Sequence, residues 1–377
     1  LQGRSAEKLA LVAEACRSRL PVSIDNVTVS TETSLQRALE GATAVLIQVR
    51  IGGLDARIYD ERFPRASGIP GEETMGPGGF ANAMRTVPAL AGLWDALSAW
   101  APEAFIVNLT NPSGIVAQAA TAHTGLSIVS VCDGPVTFVE GVARAAERDV
   151  RSVRLAYAGL NHAGFWGDPD AEALLAAVSA TRGIEPDDVR AIGALPSPYL
   201  RFYLHPDKEL AAQLASDESR AQVLKRLEAE LLDQYSSGIE ASEHKRRGAL
   251  WYAVSIVPLV DAFAYGSSEP MVLGLPNEGA VDWAPRDALV ELPTDVLAGG
   301  ELRRHPAVAL PQAATTMLER HATFETSTAR ALAGCRSRDD VRARRDRLVE
   351  ALATNPMVPS SSLAERLLDE ILDASPT

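Results

Sequence analysis

Apolar positions along the chain fall into two spacings, helical repeats of about 3.6 residues and short uninterrupted runs, and their alternation predicts helix followed by buried strand. Ala6 to Leu20 carries apolar residues at helical spacing. Ser34 to Leu39 repeats that pattern weakly before the β-rich run Ala44-Val45-Leu46-Ile47-Gln48-Val49. A helix from about Met84 to Trp100 leads to a strand at Ala104 to Asn108, and a further helix leads to Leu126 to Val131. Three such units in succession imply an α/β fold with a parallel, doubly wound sheet, whose strands present polar residues to one crevice at their carboxyl ends. Between the first strand and Met84, the stretch Arg50 to Gly79 holds Gly52-Gly53, Gly68, Pro70-Gly71 and Gly76-Pro77-Gly78-Gly79. This density of Gly, Pro and charge predicts a long loop after a strand.

The texture changes near Val153. Val153 to Ala158 reads as one more strand, ending in Gly159-Leu160-Asn161-His162, and roughly the next 80 residues read mostly as helix. Strands are predicted at Met271 to Leu275 and Leu289 to Leu292, then amphipathic helices from Ala313 to Leu372 with Asn355-Pro356 between the last pair. At 377 residues the chain exceeds what one core usually supports. Two domains are therefore expected: a Rossmann-like domain over residues 1–153 and a helix-rich α+β domain over 154–377.

Composition narrows the function. Hydrophobic residues at 46% and charged residues at 23% are ordinary for a globular protein. No apolar run reaches the roughly 18 residues of a membrane span, so no membrane association is expected. A net charge of -13 without a clustered basic stretch argues against nucleic acid as a partner, and an anionic substrate would need locally gathered arginines. Cys16, Cys132 and Cys335 are too few and too scattered for a disulfide framework, which points to a reducing compartment, the cytoplasm. The opening Leu1-Gln2-Gly3-Arg4-Ser5 has no basic-then-apolar signal pattern, and the chain is expected to begin in mid-protein.

Four polar clusters stand at predicted strand ends: Gln48-Val49-Arg50, Asn108 to Pro112, Cys132-Asp133 and Asn161-His162. In an open α/β sheet they would converge. A thiolate and an imidazole aimed into one cleft make half a transition-metal site, with the remaining positions left to substrate oxygens. The alternative is a small buried Cys and a hydrogen-bonded core His. Arg50, Arg57 and Arg220 offer planar forks for phosphate oxygens if they converge, and are solvated charges if they do not. Glu72-Glu73 sits among glycines that allow close backbone approach. Tyr199 and Tyr203, four apart, would share a helix face, a spacing usual for packing residues.

In order along the chain, Gln48 to Arg57, Asp60-Glu61-Arg62, Gly71-Glu72-Glu73-Thr74-Met75-Gly76-Pro77-Gly78-Gly79-Phe80, Met84 to Pro88, Asn108 to Pro112, the Cys132 cluster, Gly159 to His162 and Pro196 to Tyr203 closely resemble glycoside hydrolase family 4. The resemblance runs from Leu1 to the C-terminal helices. It implies a Rossmann-like NAD-binding domain, truncated before its first strand and glycine loop, followed by a substrate and metal domain. Cys132 and His162 match the family's metal ligands, usually for Mn²⁺. Asn111, Arg57 and Arg220 match substrate contacts, the arginines to a 6-phosphate. Tyr199 matches the catalytic base, with Tyr203 and Tyr252 as fallbacks, and Glu73 matches the acidic residue that raises the tyrosine's basicity.

The implied chemistry lies outside the two-carboxylate scheme of most glycosidases. Hydride transfer from sugar C3 to NAD⁺ acidifies the C2 proton, the tyrosinate removes it, the aglycone is eliminated, water adds and hydride returns. The loop resembles the 6-phospho-β-glucosidase branch, whereas Asp133 beside Cys132 resembles phospho-α-glucosidases and can serve as proton donor. The expected partner is a phosphorylated disaccharide or glucoside, and a homo-oligomer is expected. Two rivals use the same sheet: an NAD-dependent 2-hydroxy-acid dehydrogenase and a catalytically silent sugar-phosphate-binding protein.

Overall fold

Among the described residues nine strands follow one another: β1 Ala44–Ile47, β2 Phe105–Asn108, β3 Ile128–Ser130, β4 Ala156–Leu160, β5 Ala163–Gly167, β6 Leu195–Pro196, β7 Met271–Pro276, β8 Leu289–Val296 and β9 Leu302–Arg304. They come from a computed structural model that describes residues 1–20, 27–149, 156–167, 183–238, 246 and 251–374. β1, β2 and β3 are parallel, with Ile47 opposite Asn108 and Asn108 opposite Ser130, so their carboxyl ends finish level. The sheet continues through antiparallel pairs in the order β1-β2-β3-β7-β8-β4-β5-β6, with β9 beside β8. The later strands thus extend the first parallel layer. The α/β reading holds, with helices against a mixed sheet. Of the strand predicted from Val153, the part from Ala156 is present, and 153–155 lie outside the described residues.

Helix Gly76–Ala89 is buried over most of its length and forms the main core with helices Ala91–Trp100, Ser113–Thr124 and Gln312–Leu332. Phe80 and Trp94 are almost fully enclosed there. Each large side chain so buried stabilises the fold by about 2–3 kcal/mol.

Three expectations needed correction. Arg50 to Gly79 is not a long loop. It contains helix Gly53–Arg62, a 3₁₀ turn Phe63–Ser67 and the start of helix Gly76–Ala89. Within it Asp60 and Glu61 are buried, and their ion pairs with Arg85 and Arg57 replace water. The glycines serve close approach: a Cβ on Gly71 would lie 2.0 Å from the Glu61 carbonyl oxygen, and one on Gly78 2.2 Å from that of Glu72. The helix predicted from Met84 to Trp100 is two helices, broken at Leu90 after Pro88. Tyr199 and Tyr203 share no helix face, because Tyr199 lies in the 3₁₀ turn Pro198–Leu200 and Tyr203 in the short helix Arg201–Leu204.

Candidate active site

The level ends of β1, β2 and β3 and the turn between β4 and β5 open into one cleft of about 940 Å³. Its walls include Arg57, Glu73, Asn111, Cys132, Asp133, His162, Tyr199 and Arg220. The four strand-end clusters therefore do converge.

One wall is charged. Arg57 pairs with Glu73 at 2.6 Å and with Glu61 at 2.7 Å, and Arg50 forms a second ion pair with Glu73. The other Glu61 oxygen accepts the Ala221 backbone N–H at 2.8 Å, which ties down the first turn of helix Arg220–Ser236 and brings Arg220 to the cleft. Asn82 donates to the backbone oxygens of Glu73 (3.1 Å) and Asn111 (3.2 Å), linking the glycine-rich segment to the end of β2. Burial works against the charges of Arg57 and Glu73, but each is the other's counter-ion, so Arg57 is pushed further up and Glu73 held down. Glu72, whose Oε2 accepts the N–H groups of Thr74 (2.6 Å) and Met75 (2.8 Å), is raised to about 7 by burial and by Glu73.

A second part of the wall is built on the uncharged Cys132, His162 and Tyr199. Cys132 follows β3 and receives the Gly134 N–H at 3.3 Å, at the start of helix Gly134–Ala145. Burial, then Asp133 and Glu291, push its thiol well up. His162 occupies the β4–β5 turn in a left-handed conformation (φ 63°), and its ring stacks on Tyr199 with centroids 3.8 Å apart and planes within 6°. Burial lowers His162 to about 4, so the imidazole is neutral, and its Nδ1 is buried without a hydrogen-bond partner. Asn161 donates from Nδ2 to Glu291 at 3.2 Å while its Oδ1 lacks a partner. Burial, then Glu72, pushes the Tyr199 phenol up, and burial raises Asp133.

A divalent cation fits this donor set: a neutral imidazole with a partnerless nitrogen, and a thiol that a cation would deprotonate. Among the described residues no group of three His, Cys, Asp or Glu side chains is placed to hold a metal. Cys132 and His162 could therefore supply two ligands and leave the rest to substrate oxygens. For a dinucleotide, no strand of the described residues leads through a GxGxxG loop into a helix, the arrangement that wraps a pyrophosphate. What they offer is the crevice wall at Gln48, Val49 and Leu109.

Of the fallback tyrosines, Tyr203 is not in the cleft lining: its hydroxyl accepts the Gly76 N–H and its ring meets His321 edge-on. Tyr252 does line the cleft, where its hydroxyl accepts from Gln48. Sequence reading missed Asn82, Arg201 and Glu291. Arg201 lies 5.8 Å from the Tyr199 ring centroid and pairs with Glu209. Glu291, alone between apolar neighbours in Val290-Glu291-Leu292, was the detectable signal, since a charge inside a buried strand is rarely incidental.

A cleft at the carboxyl ends of parallel strands that gathers arginines, a thiol and an imidazole defines an α/β enzyme suited to a polar, anionic ligand. The chain belongs to glycoside hydrolase family 4: the Family 4 glycosyl hydrolase model matches residues 4–148, and the model of the family's C-terminal domain matches residues 157–358. Among curated relatives, a "Probable 6-phospho-beta-glucosidase" of Bacillus subtilis strain 168 is 28% identical over 394 residues, covering 98% of this chain and 87% of the relative. The 6-phospho-alpha-glucosidase 1 of Lacticaseibacillus paracasei is also 28% identical, over 406 residues, covering 98% and 88%. The Thermotoga maritima 6-phospho-beta glucosidase, solved with NAD and glucose-6-phosphate, superimposes with a TM-score of 0.84 at 24% identity, covering 99% of this chain and 89% of that one. Another form of the same enzyme, with manganese, NAD⁺ and glucose-6-phosphate, gives 0.81 at 24% identity, covering 97% and 86%.

Proposed function

We propose that this protein hydrolyses 6-phospho-β-glucosides with the help of NAD⁺ and a divalent cation, Mn²⁺ in the first instance. The observation that carries the reading is the convergence of Cys132, His162 and Tyr199 with Arg57 and Arg220 in one cleft. The names of the relatives support the substrate class, and the ligands of the Thermotoga maritima structures support the cofactors. Bound here, the two groups would supply Lewis acidity between Cys132 and His162 and reversible acceptance of hydride.

The chain's own residues do the rest. Arg57 and Arg220 bind the 6-phosphate, with Arg57 held in place by Glu61 and Glu73 before substrate arrives. Asn111, anchored through its backbone by Asn82, binds a sugar hydroxyl. Tyr199 takes the C2 proton. In the cleft as folded it stays protonated, so it becomes a base only when positive charge is brought beside it. His162 fixes the plane of the Tyr199 ring by stacking. Glu73 is shared between Arg50 and Arg57, where its charge positions the phosphate-binding guanidinium, and the same charge acts on Tyr199 and adds to the phenol's basicity.

A second reading, a 6-phospho-α-glucosidase, is favoured by Asp133. Its carboxyl lines the cleft beside Cys132, 3.9 Å from the sulfur, and burial raises it, as suits a proton donor to a leaving oxygen. The deciding experiment is turnover of paired p-nitrophenyl α- and β-glucoside 6-phosphates, each with and without NAD⁺ and Mn²⁺. The β substrate is expected to react faster, with both additions required. Faster α turnover selects the second reading, and no turnover of either substrate rejects both.

A further inference from the structure

Behind the neutral wall lies a row of residues paired across the sheet. Ser130 of β3 is opposite Gly274 of β7, Gly274 is opposite Glu291 of β8, Glu291 is opposite Gly159 of β4, and Gly159 is opposite Gly164 of β5. Cys132 stands two residues beyond one end of this row, and His162 lies in the turn joining Gly159 to Gly164. Glu291 is the only long side chain in it, and it is 1% exposed. No Lys, Arg or His pairs with it among the described residues. Its two oxygens instead accept from Asn161 Nδ2 (3.2 Å) and the Tyr157 hydroxyl (3.0 Å).

The surroundings are shaped for those two bonds. A Cβ on Gly164 would fall 2.0 Å from the Tyr157 hydroxyl, so only glycine at 164 lets that hydroxyl reach Glu291. Asn161 in turn adjoins the proposed metal site, since it directly precedes His162 in the tight turn between β4 and β5. Burying a carboxyl among apolar strands costs stability unless its bonds do something.

We infer that Glu291, gripped by Tyr157, is the positioning residue that holds Asn161 and through it keeps His162, the next residue in the β4–β5 turn, in place for a divalent cation shared with Cys132. The inference rests on the metal reading given above. Glu291 touches neither substrate nor cation; it acts as the outer hydrogen-bonded layer that orients metal ligands.

The test titrates Mn²⁺ alone into the protein and follows the free Mn²⁺ signal by electron paramagnetic resonance, with thermal unfolding measured in parallel. Glu291→Leu is expected to weaken Mn²⁺ binding about 10–100-fold. Glu291→Gln, whose amide oxygen still accepts from Asn161, is expected to stay within about threefold of wild type. Tyr157→Phe, which keeps the ring and removes only the hydroxyl, is expected to fall between them, and it decides the question if the Leu variant does not fold. A lower Tm with unchanged Mn²⁺ affinity in Tyr157→Phe and in folded Glu291→Leu would mean a structural role only and overturns the inference. Wild-type protein that binds no Mn²⁺ overturns the metal reading and this inference together. Wild-type binding with insensitive variants overturns this inference alone.

Discussion

In the charged part of the cleft, Arg50, Arg57, Glu61 and Glu73 satisfy one another, while Cys132 and His162 in its neutral part, with Asn161 beside them, present a thiol, a ring nitrogen and an amide oxygen, the last two without partners. The charged wall is held together by its own ion pairs, so the phosphate proposed to bind there would need little reorganisation. The neutral wall holds its groups in place with their bonding capacity unspent. That combination suits a centre completed by a cation and the sugar's own oxygens. Removing a group from the first wall should therefore affect binding or stability, and removing one from the second should affect chemistry.

The largest effect expected from breaking this contrast is at the neutral wall. Cys132→Ala and His162→Ala should each lower kcat/KM at least about 10³-fold in steady-state assays with Mn²⁺ present, since several kcal/mol of charge stabilisation is lost. Near wild-type rates in both variants would remove the metal centre from the mechanism. Tyr199→Phe should lower kcat by about 10²-fold or more, the usual contribution of a general base, with KM almost unchanged.

At the charged wall the signature reverses. Arg57→Ala should raise KM about 10–100-fold, the loss of charge-assisted bonds to an anion, and spare kcat because Arg50 still neutralises Glu73. A fall in kcat with KM unchanged would erase the division between the walls. Behind that wall, Arg85 pairs with buried Asp60 at 2.6 Å and is absent from the cleft lining. Arg85→Met should cost about 3–5 kcal/mol in urea unfolding, because it strands a buried carboxyl, while the KM of the folded fraction holds.

The smallest effect sharpens the picture of what lies beneath the neutral wall. Burial, and then Glu291, raises Glu325 from 4.5 to about 8, so at neutral pH it is protonated in the fold and ionised in the unfolded chain. Its contribution is fully present below about pH 4.5 and is lost as pH rises through about 8. Glu325→Gln should leave Tm unchanged near pH 4 and raise it at pH 8 and above, flattening the alkaline side of the profile. Parallel profiles for variant and wild type would place Glu325 in a more polar setting.

Much of this was legible in the chain. The strands at Ala44–Ile47, Phe105–Asn108 and Ile128–Ser130 are apolar runs bounded by polar residues, and in the latter two burial on both faces requires such a run. The clusters that follow them reached the same cleft for the same reason. Arg50 to Gly79 was misread because local composition cannot distinguish a charge facing water from one facing a buried partner. Arg57 with Glu61 is a helical i,i+4 pair, but the Glu73 contact comes from a separate segment. β5 was missed because Ala163-Gly164-Phe165-Trp166-Gly167 is short and begins two residues after β4, with glycines that read as turn.

The amino-acid sequence by itself determined the helix-strand alternation, the placing of Cys132, Asp133 and His162 at strand ends, and membership of the family through its ordered fragments. These depend on residue type and near spacing, which side-chain burial and backbone propensity enforce locally. Only the tertiary structure decided that Tyr199 stacks on His162 while Tyr203 turns away, that Glu73 is spent on two arginines, and that Glu291 reaches Asn161 across the sheet. Those contacts join residues far apart along the chain, and their geometry is set by strand register and close packing rather than by any neighbour in sequence.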